Sequence, residues 1–191
     1  MSQDPGSLIL AALYQRQPDE ARRLARTTPA LTIWEAAALG DVEALEALLA
    51  ADAALANTPA PDGFFPLSLA AFFATAATVR RLIDAGADPG VASRNGMMVQ
   101  PLHAAVASRN LDAVRLLLDH GADPNARQQV GYTPLMGAAG SGRNDLVDLL
   151  LEHGADPSLT AEDGKTAAGV AREHGHTGIA AGLERTSDPE D

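Results

Sequence analysis

The chain has 191 residues, of which 46% are hydrophobic, 20% charged and only 4% aromatic, a composition that suits a soluble globular protein of one or two domains. Its formal net charge of -11 argues against general binding to a phosphate backbone, which needs a Lys/Arg surface able to release counterions. The absence of cysteine removes disulfides, thiolate metal sites and a cysteine nucleophile, and fits a reducing compartment.

Few rings and many alanines imply elements that approach closely through small side chains, which favours helix stacked on helix. The basic residues are thirteen arginines and one lysine, Lys165, with no run beyond Arg22-Arg23 and Arg80-Arg81, and they read as solvated helix faces. Residues 1–7 hold no basic residue ahead of the apolar stretch 8–13, which reads against a signal peptide. No apolar run approaches the ~20 residues that span a bilayer. A cytoplasmic protein with neither membrane nor nucleic-acid partners is therefore expected.

In chain order, Asp4-Pro5-Gly6-Ser7 is a stop and helix start, and Leu8, Leu10, Ala11, Leu13 and Tyr14 follow at helical spacing. Gln17-Pro18-Asp19 breaks that helix, and a second one over 19–26 turns Ala21, Leu24 and Ala25 inward before Thr27-Thr28-Pro29. This pair, residues 1–30, matches no repeat and reads as a polar cap on a stack of helices. From Thr32 a helix opens, Gly40-Asp41 turns it, and a second helix over 42–50 carries Leu45, Leu48 and Leu49. Trp34, the single tryptophan, sits on a small-residue helix and reads as a packing anchor.

A repeating unit emerges next. Asp62-Gly63, Asn95-Gly96, Gly131 and Asp163-Gly164 open successive units, with glycines separated by 33, 35 and 33 residues. Gly-Ala-Asp exits at Gly86, Gly121 and Gly154 are separated by 35 and 33. The stretch 131–157, GYTPLMGAAGSGRNDLVDLLLEHGADP, is the most regular unit. Thr133 is placed to cap the helix that Pro134 starts, whereas Phe65-Pro66 and Gln100-Pro101 keep the proline and lose the hydroxyl. Leu146, Val147, Leu149, Leu150 and Leu151 form an apolar stripe, and Gly121 and Gly154 suit left-handed helix exits.

A turn and two helices at a period of ~33 resembles the ankyrin repeat family, from Thr32 to about Glu184. The resemblance implies an all-α solenoid of stacked helix-turn-helix units joined by β-hairpin-like loops. The expected organisation is a capping pair over 1–30, five repeats (31–61, 62–94, 95–129, 130–162 and 163–185), and an acidic, frayed tail over 186–191. The last unit replaces Thr-Pro by Thr166-Ala167 and weakens its outer helix to TGIAAGL over 177–183, as a terminal cap would.

Neither metal nor catalysis is expected, and no cofactor is called for. His103 stands where the family uses an imidazole to tie hairpin to helix. His120 and His153 precede the exit glycines at matching positions, about one ~10 Å repeat apart, too far for one zinc at ~2 Å from each. They suit helix C-termini instead. His174 and His176 flank Gly175 in the turn between helices, where the family carries Gly-His. The chain has no phosphate loop, no Gly-x-Ser-x-Gly elbow and no His-Glu-x-x-His.

The resemblance implies a partner surface on the concave side, made of hairpin tips and exposed faces of the first helices. Here that means Phe64, Met97, Met98, Val99, Gln129, Val130 and Tyr132 on hairpins, and Phe72, Phe73, Ala107, Ser108, Gly140 and Ser141 on helices. All four phenylalanines fall in one unit, with Phe65 expected in the core and Phe72 open to either placement. The next hairpin is two residues longer, which brings Met97 and Met98 to its tip. Phe64, Phe72, Phe73, Met97, Met98, Val99, Val130 and Tyr132 are the candidate partner-binding residues. The expected protein is a monomeric, non-catalytic module for a partner protein with a basic or apolar segment, its acidic surface favouring the basic choice. The alternatives are a ligand-binding or enzymatic groove across repeats, and a self-associating structural module.

Overall fold

The computed structural model describes residues 5–187, with side chains over 8–186. Among these residues lie twelve α-helices, two short 3-10 segments and no strand. The first two helices, α1 (Pro5–Tyr14) and α2 (Pro18–Thr27), pack on each other and precede five helix pairs. The inner helices are α3 (Ile33–Leu39), α5 (Pro66–Phe73), α7 (Pro101–Ala107), α9 (Pro134–Gly140) and α11 (Ala167–Glu173). The outer helices are α4 (Val42–Ala51), α6 (Ala76–Asp84), α8 (Leu111–Asp119), α10 (Asn144–Glu152) and α12 (Thr177–Ser187). Each inner helix packs on the next inner one, and α4, α6, α8 and α10 pack in a second row.

Local chemistry starts the inner helices. Proline occupies the first turn of α5, α7 and α9, where its missing amide has no partner to lose. The Thr133 hydroxyl accepts from the Met136 amide (3.4 Å) and Thr166 from Gly169 (3.3 Å). Thr32 and Glu35 close a reciprocal box, in which Thr32 N–H donates to Glu35 Oε2 (2.8 Å) and Glu35 N–H to Thr32 Oγ1 (3.3 Å). Phe65 and Gln100 supply no side-chain cap. Inner helices then meet through fully buried Ala37, Ala70, Ala71, Ala105, Ala138, Ala139 and Ala171, while Leu45, Leu82, Leu117, Leu146 and Leu150 fill the space toward the outer row. Truncating one of these leucines to alanine costs about 2–5 kcal/mol.

The turn between helix pairs is tight. Gly142 has φ +72°, and a Cβ there would come within 2.5 Å of the His176 ring of the following repeat. Arg109 takes the same left-handed turn with φ +59° one repeat earlier. The exit glycines Gly121 and Gly154 are left-handed at +87° and +86°.

Hairpins link neighbouring repeats by one backbone bond each. Arg94 N–H donates to Gly63 O (2.8 Å), Gln129 to Met97 O (2.9 Å) and Glu162 to Val130 O (2.9 Å). On the opposite side, Asn57 donates to Gly86 O (2.8 Å) and accepts from Asp88 N–H (2.9 Å). Asn125 repeats both bonds with Gly154 O (3.0 Å) and Asp156 N–H (2.8 Å).

The ends differ from the sequence reading. Helix α1 begins at Pro5, and α12 runs through Ser187, so 186–187 are helical, with the Thr186 hydroxyl donating to Leu183 O (2.8 Å) and Arg185 in the last turn, where a cation is favoured. The rest of the expected tail, 188–191, lies outside the described residues. A 3-10 turn over Ala53–Asn57, capped by Asp52 Oδ1 accepting from Ala54 N–H (2.9 Å), was not foreseen because its alanines carry no periodicity. Trp34 is half-buried between the main core and the N-terminal cluster, its Nε1 donating to Thr58 O (2.8 Å).

Candidate partner-binding groove

The side chain at the sixth position after each inner-helix start decides what the inner face presents. It is Phe72 in α5, Ala107 in α7, Gly140 in α9 and Glu173 in α11. Large, then small, then small leaves a depression. The structure has a cavity there of about 440 Å³, with Phe72, Phe73 and Tyr14 among the lining residues at one end, Tyr132 at the other, and Ala104, Ala107 and Gly137 between them.

Five of the eight candidate residues, Phe64, Phe72, Phe73, Val99 and Tyr132, line this groove. Phe72 is 44% exposed and stacks edge-on against Phe73, ring centroids 4.7 Å apart. Phe64 and Phe73 are half-buried rather than open, because α1 lays Tyr14 beside them, 6.5 Å and 5.4 Å between centroids. Phe65 is buried, with the Arg94 guanidinium 5.4 Å from its ring centre. Met97, Met98 and Val130 do not line the groove but sit on adjacent hairpin tips, 39%, 53% and 53% exposed. Val99 is half-buried and joins tip to groove.

The long hairpin absorbs its two extra residues at the tip. Ser93 N–H donates to Val99 O across six positions, where Gln128 reaches Tyr132 O across four. Asn95 Oδ1 accepts from Met97 N–H (3.2 Å), as Asp62 does from Phe64 (3.1 Å) and Asp163 from Lys165 (3.1 Å). Val130, at the matching place in the third hairpin, has no such oxygen and stands at φ +60°, ψ +21°. A β-branched residue is strained in that region. Met98 is also left-handed, at φ +54°.

Sequence reasoning missed Tyr14 as a groove residue. It closes α1, and nothing local indicates which repeat that helix end meets. Its hydroxyl donates to Asp62 Oδ2 (2.6 Å), and burial, reinforced by the Asp62 bond and charge, raises its pKa well above the usual phenol range. Tyr132 is pushed up by burial and by the charges of Asp163 and Glu173, with Lys165 opposing. Of the other open positions expected on the inner face, Ser108 donates to Ala71 O (2.9 Å), Ser141 to Ala138 O (2.9 Å), and Gly140 lies under the Tyr132 hydroxyl.

Charge is distributed differently from the expectation of an acidic rim. The hairpins carry Asp62, Glu162 and Asp163 against Arg94, Arg127 and Lys165. The acidic excess lies on outer helices and exit turns, at Glu43, Glu46, Asp145, Asp148 and Glu152, and at Asp52, Asp88, Asp123 and Asp156. The hairpins beside the groove therefore carry balanced charge, and Glu173 at the end of α11 adds one carboxylate near Tyr132.

Four of the five histidines hold structural hydrogen bonds. His103 Nε2 donates to Tyr132 O of the next hairpin (3.3 Å) and Nδ1 accepts from Gln100 N–H (3.4 Å); burial holds its pKa below the ordinary value. His120, His153 and His174 each donate Nδ1–H to a carbonyl one turn back, Leu116, Leu149 and Val170. Among the described residues no cluster of three or more His, Asp or Glu is arranged to hold a metal ion, and no helix is long and apolar enough to cross a membrane.

Stacked helix pairs with protruding hairpins and an apolar groove along one row define a helical repeat protein, a scaffold whose chemistry lies in the surface it presents. Residues 33–128 match the family described as Ankyrin repeats (3 copies), and 117–171 match Ankyrin repeats (many copies). The chain belongs to the ankyrin repeat family. It is similar to the Neurogenic locus Notch protein of Drosophila melanogaster, 43% identical over 90 residues, 47% of this chain and 3% of that protein. It is similar to human Neurogenic locus notch homolog protein 4, 39% over 104 residues, 54% of this chain and 5% of that one. A putative ankyrin repeat-containing protein of Treponema pallidum is 34% identical over 107 residues, 56% of this chain and 35% of its own length. The chain thus spans a minor part of each of these relatives.

Proposed function

We propose that this chain is a non-catalytic interaction module that holds a segment of a partner protein in the groove between Phe72 and Tyr132 and against the tips at Met97, Met98 and Val130. Ankyrin repeats serve in general as protein-interaction modules, and the groove is the observation that carries the reading here. An apolar depression walled by exposed rings is a place for buried anchors. The left-handed Met98 and Val130 add support, since strained backbone persists where function retains it. A groove set by rigid helices loses little conformational entropy on binding. The balanced hairpin charges favour an apolar partner segment over a basic one. The reading includes a monomer in a reducing, cytoplasmic setting.

The test is affinity capture from the source cell with the native chain and with Phe72→Asp plus Met98→Asp. Phe72 is the probe, and not its neighbour Phe73, because Phe73 also packs against Tyr14 of α1. Loss of a specific partner with an unchanged helical circular dichroism signal is expected; equal capture by both chains refutes the groove. A second reading, a small apolar ligand, draws on the cavity volume, which falls within the ~300–1,000 Å³ of small-molecule sites. A thermal shift with an apolar metabolite set, abolished by Ala107→Trp, would favour it.

A further inference from the structure

The groove is apolar and most of its polar neighbours are already spoken for, which restricts the backbone conformation of whatever fills it. His103 uses both ring nitrogens, Thr133 Oγ1 accepts from Met136 N–H, and the Tyr14 hydroxyl donates to Asp62. Ser68 Oγ is enclosed beneath the surface. The Tyr132 hydroxyl, the Gln128 carboxamide and the lone pairs of the Tyr14 oxygen are what remain to an occupant. At the rim, Arg94 N–H and Gln129 N–H already pair with the preceding hairpin, so the amides that link the hairpins are not open to an added strand.

An extended segment would bring one N–H and one C=O per residue into this setting. Each backbone group buried without a partner costs about 1–3 kcal/mol. A helix carries its own backbone bonds and presents only side chains. The groove runs from the second repeat to the fourth, two steps of ~10 Å, which ~13 helical residues at ~1.5 Å rise would span. The hairpins beside it hold three acidic and three basic side chains, so they offer no single sign of charge for an occupant to match, and the apolar lining of the groove sets the character of the face that enters it.

We propose that the groove receives the apolar, uncharged face of an amphipathic helix of about 13 residues belonging to a partner protein. This rests on the groove being the partner site. Apolar side chains at i, i+3, i+4 and i+7 lie between Phe72 and Tyr132 over Ala107, and the outward face of the bound helix stays polar.

The test uses a displayed library of random 16-residue peptides selected on the wild-type chain and counter-selected on Ala107→Trp, which fills the floor from an exposed helix end. Phe72→Gln provides a second, independent change, and thermal melts of both variants establish that they fold. Groove-dependent binders are expected to carry apolar residues at helical spacing, to gain helical signal on binding, and to lose at least tenfold in affinity on both variants. Groove-dependent binders with apolar residues at every second position, or rich in proline, overturn the helical occupant and leave the groove in place. Absence of any binder that distinguishes wild type from the two variants overturns both.

Discussion

Gly90 offers a direct test of how the exit turns hold neighbouring repeats together. Asn57 and Asn125 each donate to a carbonyl and accept from an amide of the next exit turn, at 2.8–3.0 Å. Gly90 occupies the equivalent place at the end of the second repeat, and its amide donates to Asp88 Oδ1 (2.8 Å) just as Asn125 N–H donates to Asp123 Oδ1 (2.8 Å). A Cβ on Gly90 would meet only Asp88 Oδ1, at 3.4 Å, and its φ lies outside the left-handed region. Gly90→Asn should therefore form bonds to Gly121 O and Asp123 N–H. Two exposed bonds contribute roughly 0.5 kcal/mol each, and replacing glycine adds about 0.4–1 kcal/mol through the unfolded chain. The expected gain is about 1–2 kcal/mol, or roughly 2–8 °C in Tm for a chain of this size. Calorimetry on wild type, Gly90→Asn and Gly90→Ala separates the two contributions, since alanine supplies only the chain effect. An asparagine variant no more stable than the alanine variant would refute the reasoning.

Three further outcomes are expected. Val130→Asp restores the oxygen its sister hairpins carry and relieves a left-handed β-branched residue, raising stability by about 1–2 kcal/mol; Val130→Ala removes the β-branch without the oxygen and should gain less in a urea melt, and equal midpoints for the two would count against a contribution from the oxygen. Gly142→Ala meets both φ +72° and the His176 ring at 2.5 Å, which must turn aside, and should lose about 1–2 kcal/mol, with the C-terminal repeat fraying first by hydrogen exchange; full stability would contradict the packing described. His103 has a folded pKa depressed below the ordinary 6.5 by burial. The unfolded chain therefore binds its proton more readily, and the stabilisation present above pH 6.5 is lost as pH falls toward the folded pKa, with a slope of up to about 1.4 kcal/mol per pH unit. Denaturant melts from pH 7 downward should show a shallower acid loss in His103→Gln, and parallel slopes would exclude this histidine as the cause.

The repeat architecture was legible because each of its signals has a local cause: proline at a helix start, glycine at a left-handed turn, alanine where helices touch, leucine on the outer face. The position of Phe65 in the core was legible for the same reason. Phe64 and Phe73 were not, because what half-covers them is Tyr14, 50 and 59 positions away in sequence, and the N-terminal pair follows no repeat from which its docking could be transferred. Charge misled through averaging, since a net -11 says nothing of which row of helices carries it. The backbone strain at Val130 and Met98 had no sequence signal beyond an apolar residue at a turn.

The asparagine bonds at the exit turns bear on mechanics as well as on stability. They clamp the first repeat to the second and the third to the fourth, and among the described residues no counterpart joins the second to the third. That seam keeps the packing of α6 on α8 and the hairpin bond from Arg94 N–H to Gly63 O, and on its inner side Ser108 and Asn110 donate to Ala71 O and Ala74 O. Phe72 stands before that seam and Tyr132 beyond it, so the two walls of the groove belong to repeats joined without an asparagine clamp, and Gly90→Asn would place one between them.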